Sequence, residues 1–224
     1  WRGLCQGRDV NALMTAGQLI NWGMPALAAD MLNALDCQRT LPLYLQASLL
    51  PKAERGELVA KAIDAFPQFV RFPNTLEEVA ALESIEECWF ARHLLACFYY
   101  NKRSYGKAIA LWQRCVEMSP EFADGWRGLA IHAWNKQHDY ELAARYLDNA
   151  YQLAPQDARL LFERDLLDKL SGVTPEKRLA RLEDNLEIAL KRDDMTAELL
   201  NLWHLTGQAD KAADILATRK FHPW

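Results

Sequence analysis

The chain has 224 residues, half of them hydrophobic and a quarter charged, with a formal net charge of −4. This is ordinary globular composition with ample apolar material for a core. Acids and bases are interspersed, so no basic face offers itself to a nucleic-acid backbone, and no apolar run approaches the roughly 18 residues that cross a bilayer.

Good helix formers dominate, β-hairpin signals are nearly absent, and breakers fall at regular intervals. The chain therefore reads as many short helices with tight turns. The amino-terminal ones are placed at 9–22, 25–36, 40–50, 52–66 and 75–84. Thr40 precedes Leu41-Pro42, with a proline tolerated in a first turn. Phe66 to Pro73 holds three phenylalanines and two prolines and is extended rather than helical; an apolar connector and a docking surface for a partner or the rest of the chain are both open. Asn74 with Glu77 resembles a capping box. Further helices follow at 86–101, 105–118, 121–136 and 139–153, then at 157–171, 175–191, 194–206 and 208–220. Thr174-Pro175-Glu176 sets a cap, a first-turn proline and an acid at a positive helix end.

The strongest signal is a repeat. Leu95-Ala96, Tyr99, Ala108, Trp112, Cys115 and Pro120 form one skeleton. Leu129-Ala130, Ala133, Ala143, Leu147, Ala150 and Pro155 form the next, about 35 residues on. A recurrence of that length with helical spacing inside it implies stacked helix pairs. The small residues let the second helix approach the first, and the proline ends the pair. Trp1-Arg2-Gly3-Leu4 duplicates Trp126-Arg127-Gly128-Leu129; a chance match and a truncated repeat are both open.

Candidate chemistry is sparse. The five cysteines, at 5, 37, 88, 97 and 115, are odd in number and lack a CxxC pair, which reads as free thiols in a cytoplasmic protein. His93 and Cys97 share a helix face but make only half a zinc site, so no metal and no cofactor is expected. The acid pairs Glu77-Glu78, Glu86-Glu87 and Asp193-Asp194 sit near helix starts, where the dipole favours them. No phosphate-binding, HExxH or GxSxG motif occurs, and no catalytic residue is expected. Trp112 and Trp203 fall on core positions. The start at Trp1 and the aromatic end at Trp224 read as a fragment of a longer chain.

The skeleton resembles the tetratricopeptide repeat. Trp126, Leu129, Ala130, Ala143, Leu147, Ala150 and Pro155 match its spacing, with one extra residue near His138-Asp139. Leu199-Leu200, Trp203, Gly207, Ala212 and Leu216 match again, and 157–191 fits loosely. Residues 1–86 are divergent helical repeats and 87–224 the recognisable ones, within one continuous solenoid. The resemblance implies an all-α, right-handed α-solenoid of antiparallel helix pairs, with a concave groove lined by first helices. The residues it places on that groove are Phe90, His93, Cys97, Tyr100 and Asn101; Arg127, Ile131, Trp134 and Asn135; and Arg159, Phe162, Leu166 and Lys169. It implies a non-enzymatic scaffold that binds a protein or peptide segment, from another protein or a flanking domain of the same chain. Nucleic acid and membrane are not expected partners. At the positions where chaperone-binding members grip a terminal carboxylate, this chain has His93, Cys97 and Gly128, which argues against that ligand. The closing Lys220-Phe221-His222-Pro223-Trp224 also resembles a segment of large bacterial proteins that join such repeats to a sugar-enzyme-like β-sandwich. The alternative function is accordingly a helical accessory region of a carbohydrate-active enzyme.

Overall fold

The computed structural model describes residues 1–5, 8–35, 38–65 and 72–222, and among these no strand occurs. Cys37, most of the phenylalanine-rich connector (66–71) and the closing Pro223-Trp224 lie outside the described residues. The chain forms two compact units, 1–120 and 121–224. The point where the repeat skeleton becomes recognisable, 86/87, falls inside the first.

The amino-terminal unit holds α1 (Arg2–Cys5), α2 (Asp9–Asn21), α3 (Pro25–Leu35), α4 (Thr40–Ser48), a 3₁₀ turn at Lys52–Glu54, α5 (Gly56–Asp64), α6 (Leu76–Glu83), α7 (Trp89–Asn101) and α8 (Tyr105–Met118). Helices α2/α3, α4/α5 and α7/α8 pack as neighbouring pairs. The pair turns close in a common way. Between α2 and α3, the Met24 N–H bonds the Leu19 carbonyl at 2.8 Å and Gly23 sits at φ +75°. This is a Schellman closure, where glycine avoids the Cβ clash of the left-handed region. Arg103 adopts the same geometry between α7 and α8 at φ 61°, with the Ser104 N–H on the Tyr99 carbonyl at 2.8 Å.

Helix α6 departs from the pairing. It packs on α4, α7 and α2, which are the first helices of their pairs. Its Leu82 is fully buried and Val79 and Ala81 nearly so. Gly17 of α2 gives it room, because a Cβ there would stand 3.3 Å from Cγ of Glu77. The start of α6 corrects the expected cap by one residue. Thr75 Oγ1 accepts the Glu78 N–H at 3.3 Å, and Glu78 Oε2 accepts from the Thr75 and Asn74 N–H groups at 3.2 and 2.8 Å. Asn74–Glu77 and Thr75–Glu78 have the same three-residue spacing; Thr75 is the cap because its backbone is the extended residue immediately before Leu76, where the helix begins.

The carboxy-terminal unit holds α9 (Ala123–His132), α10 (Tyr140–Leu153), α11 (Ala158–Leu170), α12 (Pro175–Asp184), α13 (Leu186–Ala189), α14 (Asp193–Leu205) and α15 (Ala209–Thr218). The extra residue expected near His138-Asp139 widens the end of α9 into a π-turn over Ala133–Gln137. The Asp139 N–H reaches back to the Ala133 carbonyl at 3.1 Å, and His138 takes φ 56°. Such π-bulges are how a helix absorbs one inserted residue. Asp139 and Asp157 cap α10 and α11, accepting the Leu142 and Arg159 N–H groups at 2.9 and 2.8 Å. The helix expected over 175–191 is broken at Asn185, whose φ −124°, ψ 33° is not helical.

The repeat skeleton is the core. Ala108, Trp112 and Cys115 are buried in the first unit, and Ala143, Leu147 and Ala150 in the second. In the second unit one cluster joins Ala130, Ala133, Ala143, Leu147, Ala150, Leu160 and Leu167. Another gathers Leu161, Leu179, Leu182, Met195, Leu199, Leu202 and Trp203. Each pair buries its small residues at the close contact and its large ones between neighbours, which is how a solenoid makes a core without a central one. Among the described residues no helix is long and apolar enough to cross a membrane.

Candidate functional site

In the carboxy-terminal unit the predicted groove positions fall on α9 and its π-turn (Arg127, Ile131, Trp134 and Asn135) and on α11 (Arg159, Phe162, Leu166 and Lys169), at three- and four-residue spacings that set each group along one stripe. Ile131, Trp134, Phe162 and Leu166 are half-buried, and Asn135 and Lys169 are exposed. Trp134 leans on the Ala130–Leu167 cluster. The Arg192 guanidinium lies over the Phe162 ring, 5.5 Å from its centroid.

The cations on this face are engaged by acids on neighbouring first helices, and Arg159 also by the cap of its own helix. Arg127 of α9 grips Glu163 of α11 with two parallel bonds, Nε to Oε2 at 2.8 Å and Nη2 to Oε1 at 2.5 Å. Arg159 of α11 reaches Asp124 of α9 at 3.0 Å and Asp157 at 2.7 Å. Lys169 of α11 sits 3.0 Å from both oxygens of Glu198 on α14. Bidentate arginine–carboxylate pairs fix geometry as well as charge. Burial works to raise the Asp157 carboxyl, but Arg159 and Arg127 outweigh it and hold it below the usual carboxylate range. Burial likewise pushes Glu198 up, and Arg178 and Lys169 overcome it. The face is therefore a set of half-buried apolar side chains among charges that neutralise one another. Two of the rungs pair a residue with a partner about one repeat length away, Asp124 with Arg159 and Arg127 with Glu163. That periodicity was the sequence signal for the ladder; the cations alone concealed it.

The five groove positions predicted in the amino-terminal unit do not form a comparable face. Phe90 is fully buried against Tyr44 of α4, with ring centroids 6.4 Å apart. His93 is 7% exposed, stacks on Phe90 at 6.1 Å, and places Nε2 3.6 Å from Cys97 Sγ. Tyr100 packs on Tyr105 and Trp112 of α8, at 5.1 and 5.4 Å. Phe90 and His93 are thus core residues, a correction with a plain cause: α4 and α6 pack on α7. Cys97 is half-buried, and Asn101 is exposed at the helix end. Among the described residues no group of three or more His, Cys, Asp and Glu is placed to hold a metal ion.

A second polar cluster anchors the end of the chain. Asp193, the first residue of α14, accepts from Arg219 at 2.7 Å, from the His222 N–H at 2.8 Å and pairs with its ring Nδ1 at 2.7 Å. Arg219 also donates to the Leu190 carbonyl at 2.6 Å. The His222 N–H, the Arg219 guanidinium and the His222 ring hold the Asp193 carboxyl well below the usual carboxylate range. A depressed carboxylate contributes fully above its unfolded pKa of about 4 and is lost as pH falls through its folded value. Tryptic cleavage after Arg219 and Lys220 is accordingly expected to stay slow from pH 8 down to about pH 5. Asp193→Asn is expected to speed it several-fold across that whole range; equal rates for the two proteins would remove the clamp.

No protein-family model matches the chain. Two solved structures share its fold. One is the MamA protein, with a TM-score of 0.51 at 13% identity over 82% of this chain and 98% of that one. The other is Cut9–Hcn1 of the APC/C hetero-tetramer, with a TM-score of 0.51 at 14% identity over 90% of this chain and 37% of that one. YrrB, a TPR protein with an unusual peptide-binding site, is similar at a TM-score of 0.47 and 18% identity over 80% of this chain and 83% of that one. The fold is an all-α, solenoid-like repeat of the tetratricopeptide type.

Proposed function

We propose that this protein is a non-enzymatic interaction scaffold, and that the first-helix face of its carboxy-terminal unit holds a protein segment. One observation carries the reading. Ile131, Trp134, Phe162 and Leu166 stay half-exposed on a face whose arginines and lysine are paired within the fold. Aromatic and aliphatic anchors in a charge-balanced surround favour apolar side chains of a ligand over a terminal carboxylate, which would have to break a rung to be gripped. The segment comes from another protein or from a flanking region of the same parent chain. The buried thiols of Cys5, Cys88 and Cys115 support placement in the cytoplasm. Burial pushes the Cys115 thiol up to about 12, with Cys88 and Cys97 adding to it, so it stays protonated and inert.

Photo-crosslinking in cells tests this. A benzophenone side chain at Ile131 or Leu166 is expected to capture one defined protein band or one intramolecular product, and one at the exposed Gln152 on α10 is not. Trp134→Ala with Phe162→Ala should abolish capture while the helical circular dichroism is retained. Equal capture from Gln152, or capture that survives the double substitution, would overturn the assignment.

A further inference from the structure

The amino-terminal unit contains a cavity of about 440 Å³ between α2, α4 and α6. Ile20 of α2, Leu45 and Leu49 at the end of α4, and Leu76 and Ala80 of α6 line it. Leu76 stands at its lip with 80% of its surface in water, the most exposed of the large hydrophobic side chains among the described residues. The volume is of the size that takes a small ligand or the side chains of a peptide anchor.

One wall is polar. Asn21 donates to Glu77 Oε1 at 2.5 Å across the cavity edge. The Glu77 carboxyl is held below the usual range by its own backbone N–H and by Asn21, so it is ionised at neutral pH. It opens an acidic stretch. Residues 75–88 carry Glu77, Glu78, Glu83, Glu86 and Glu87 with no lysine or arginine. Glu78 is spent on the helix cap, while Glu77 and Glu83 are bonded by neutral groups, the Asn21 amide and the Tyr99 hydroxyl. Arg55, Lys52 and Arg92 (its Nε on the Glu86 carbonyl at 3.1 Å) touch this stretch, and five acids against these three cations leave it net negative. Arg55 gives its guanidinium to the carbonyls of Leu50, Ser84 and Ser48 at 2.9, 2.8 and 3.3 Å, and Lys52 lies 3.9 Å from Glu86. An apolar hole beside a net negative helix selects by charge as well as by shape.

We propose that the α2–α4–α6 cavity is a docking site for an apolar side chain carried on a basic segment of a partner protein. It lies wholly within the amino-terminal unit and does not depend on the face of α9, α11 and α14.

The test titrates the full chain, ¹⁵N-labelled, with the capped peptide Lys-Lys-Leu-Lys-Lys. Saturating amide shifts are expected at Ile20, Leu45, Leu49 and Leu76. Replacing the peptide's leucine by alanine, or its lysines by glutamates, should weaken binding at least tenfold. Raising the salt from about 0.05 to 0.5 M should weaken it several-fold, since the Debye length falls from about 14 to 4 Å. Ala80→Trp, which fills the cavity from an exposed position, should abolish the shifts with the rest of the spectrum unmoved. The peptide comparisons on the unaltered protein stand even if that variant fails to fold. Absence of localised shifts, or equal binding of the alanine or glutamate peptide, would overturn the proposal. Trp134→Ala with Phe162→Ala should leave this titration unchanged, so its failure and that of the face on α9, α11 and α14 are read separately.

Discussion

Replacing Arg178 by methionine is expected to destabilise the carboxy-terminal unit by about 3–5 kcal/mol, the usual cost of stranding a buried charge. Arg178 on α12 holds Asp165 of α11 with two bonds, at 3.0 and 2.6 Å, and Glu198 of α14 with a third at 2.7 Å. The Arg178 and Asp165 side chains are only 4% and 3% exposed. One guanidinium thus bolts three helices together where no water can replace it. Burial lifts the Asp165 carboxyl above its ordinary range even with Arg178 attached. Without Arg178 it would rise further. A carboxyl raised in the folded state favours folding below its unfolded pKa and loses that advantage as pH rises through the folded value. The deficit of Arg178→Met should therefore be smaller at pH 5 than at pH 8. Adding Asp165→Leu should recover much of it, because a packed apolar pair replaces a buried ion pair at little net cost. Urea titrations followed by circular dichroism measure all three. A loss below about 1 kcal/mol for Arg178→Met would show that the network is not structural.

The second large effect is expected at Trp112. It is 4% exposed and packs on Tyr100, with ring centroids 5.4 Å apart. Trp112→Ala should cost about 3–5 kcal/mol through the cavity it leaves. The indole Nε1–H is buried without a hydrogen-bond partner among the described residues. A stranded donor costs about 1–3 kcal/mol, so Trp112→Phe removes that penalty along with part of the packing and should be far milder than alanine. Trp134→Ala, at a half-exposed position, should cost much less than Trp112→Ala. Equal falls in melting temperature for Trp112→Ala and Trp134→Ala would contradict the division between core and face.

The skeleton Ala108, Trp112, Cys115 and its echo Ala143, Leu147, Ala150 was legible because it is local. Helical periodicity and the size of a side chain at a close helix contact are written within about 35 residues. Even the extra residue before Asp139 announced itself, though its solution as a π-turn did not. The cap at α6 was read one residue early because Asn74 and Thr75 both suit the role and only backbone geometry separates them.

What the groove positions face was not local. Phe90 and His93 lie on the stripe where a first helix should meet a ligand, yet neighbouring helices cover α7 there. Helix α6 could settle against α2, α4 and α7 because Gly17 leaves room for Glu77 and because Leu82 buries fully on arrival. Arg127, Arg159 and Lys169 stand on the predicted groove, but neighbouring helices supply Glu163, Asp124 and Glu198 to pair with them. The sequence by itself determined most of the helices, and the small-to-large order of the core in the repeat skeleton, since these depend on spacing along one or two helices. The tertiary structure alone decided which stripes stay open and which charges are spent, because burial and Coulomb partners are set by elements distant in the chain.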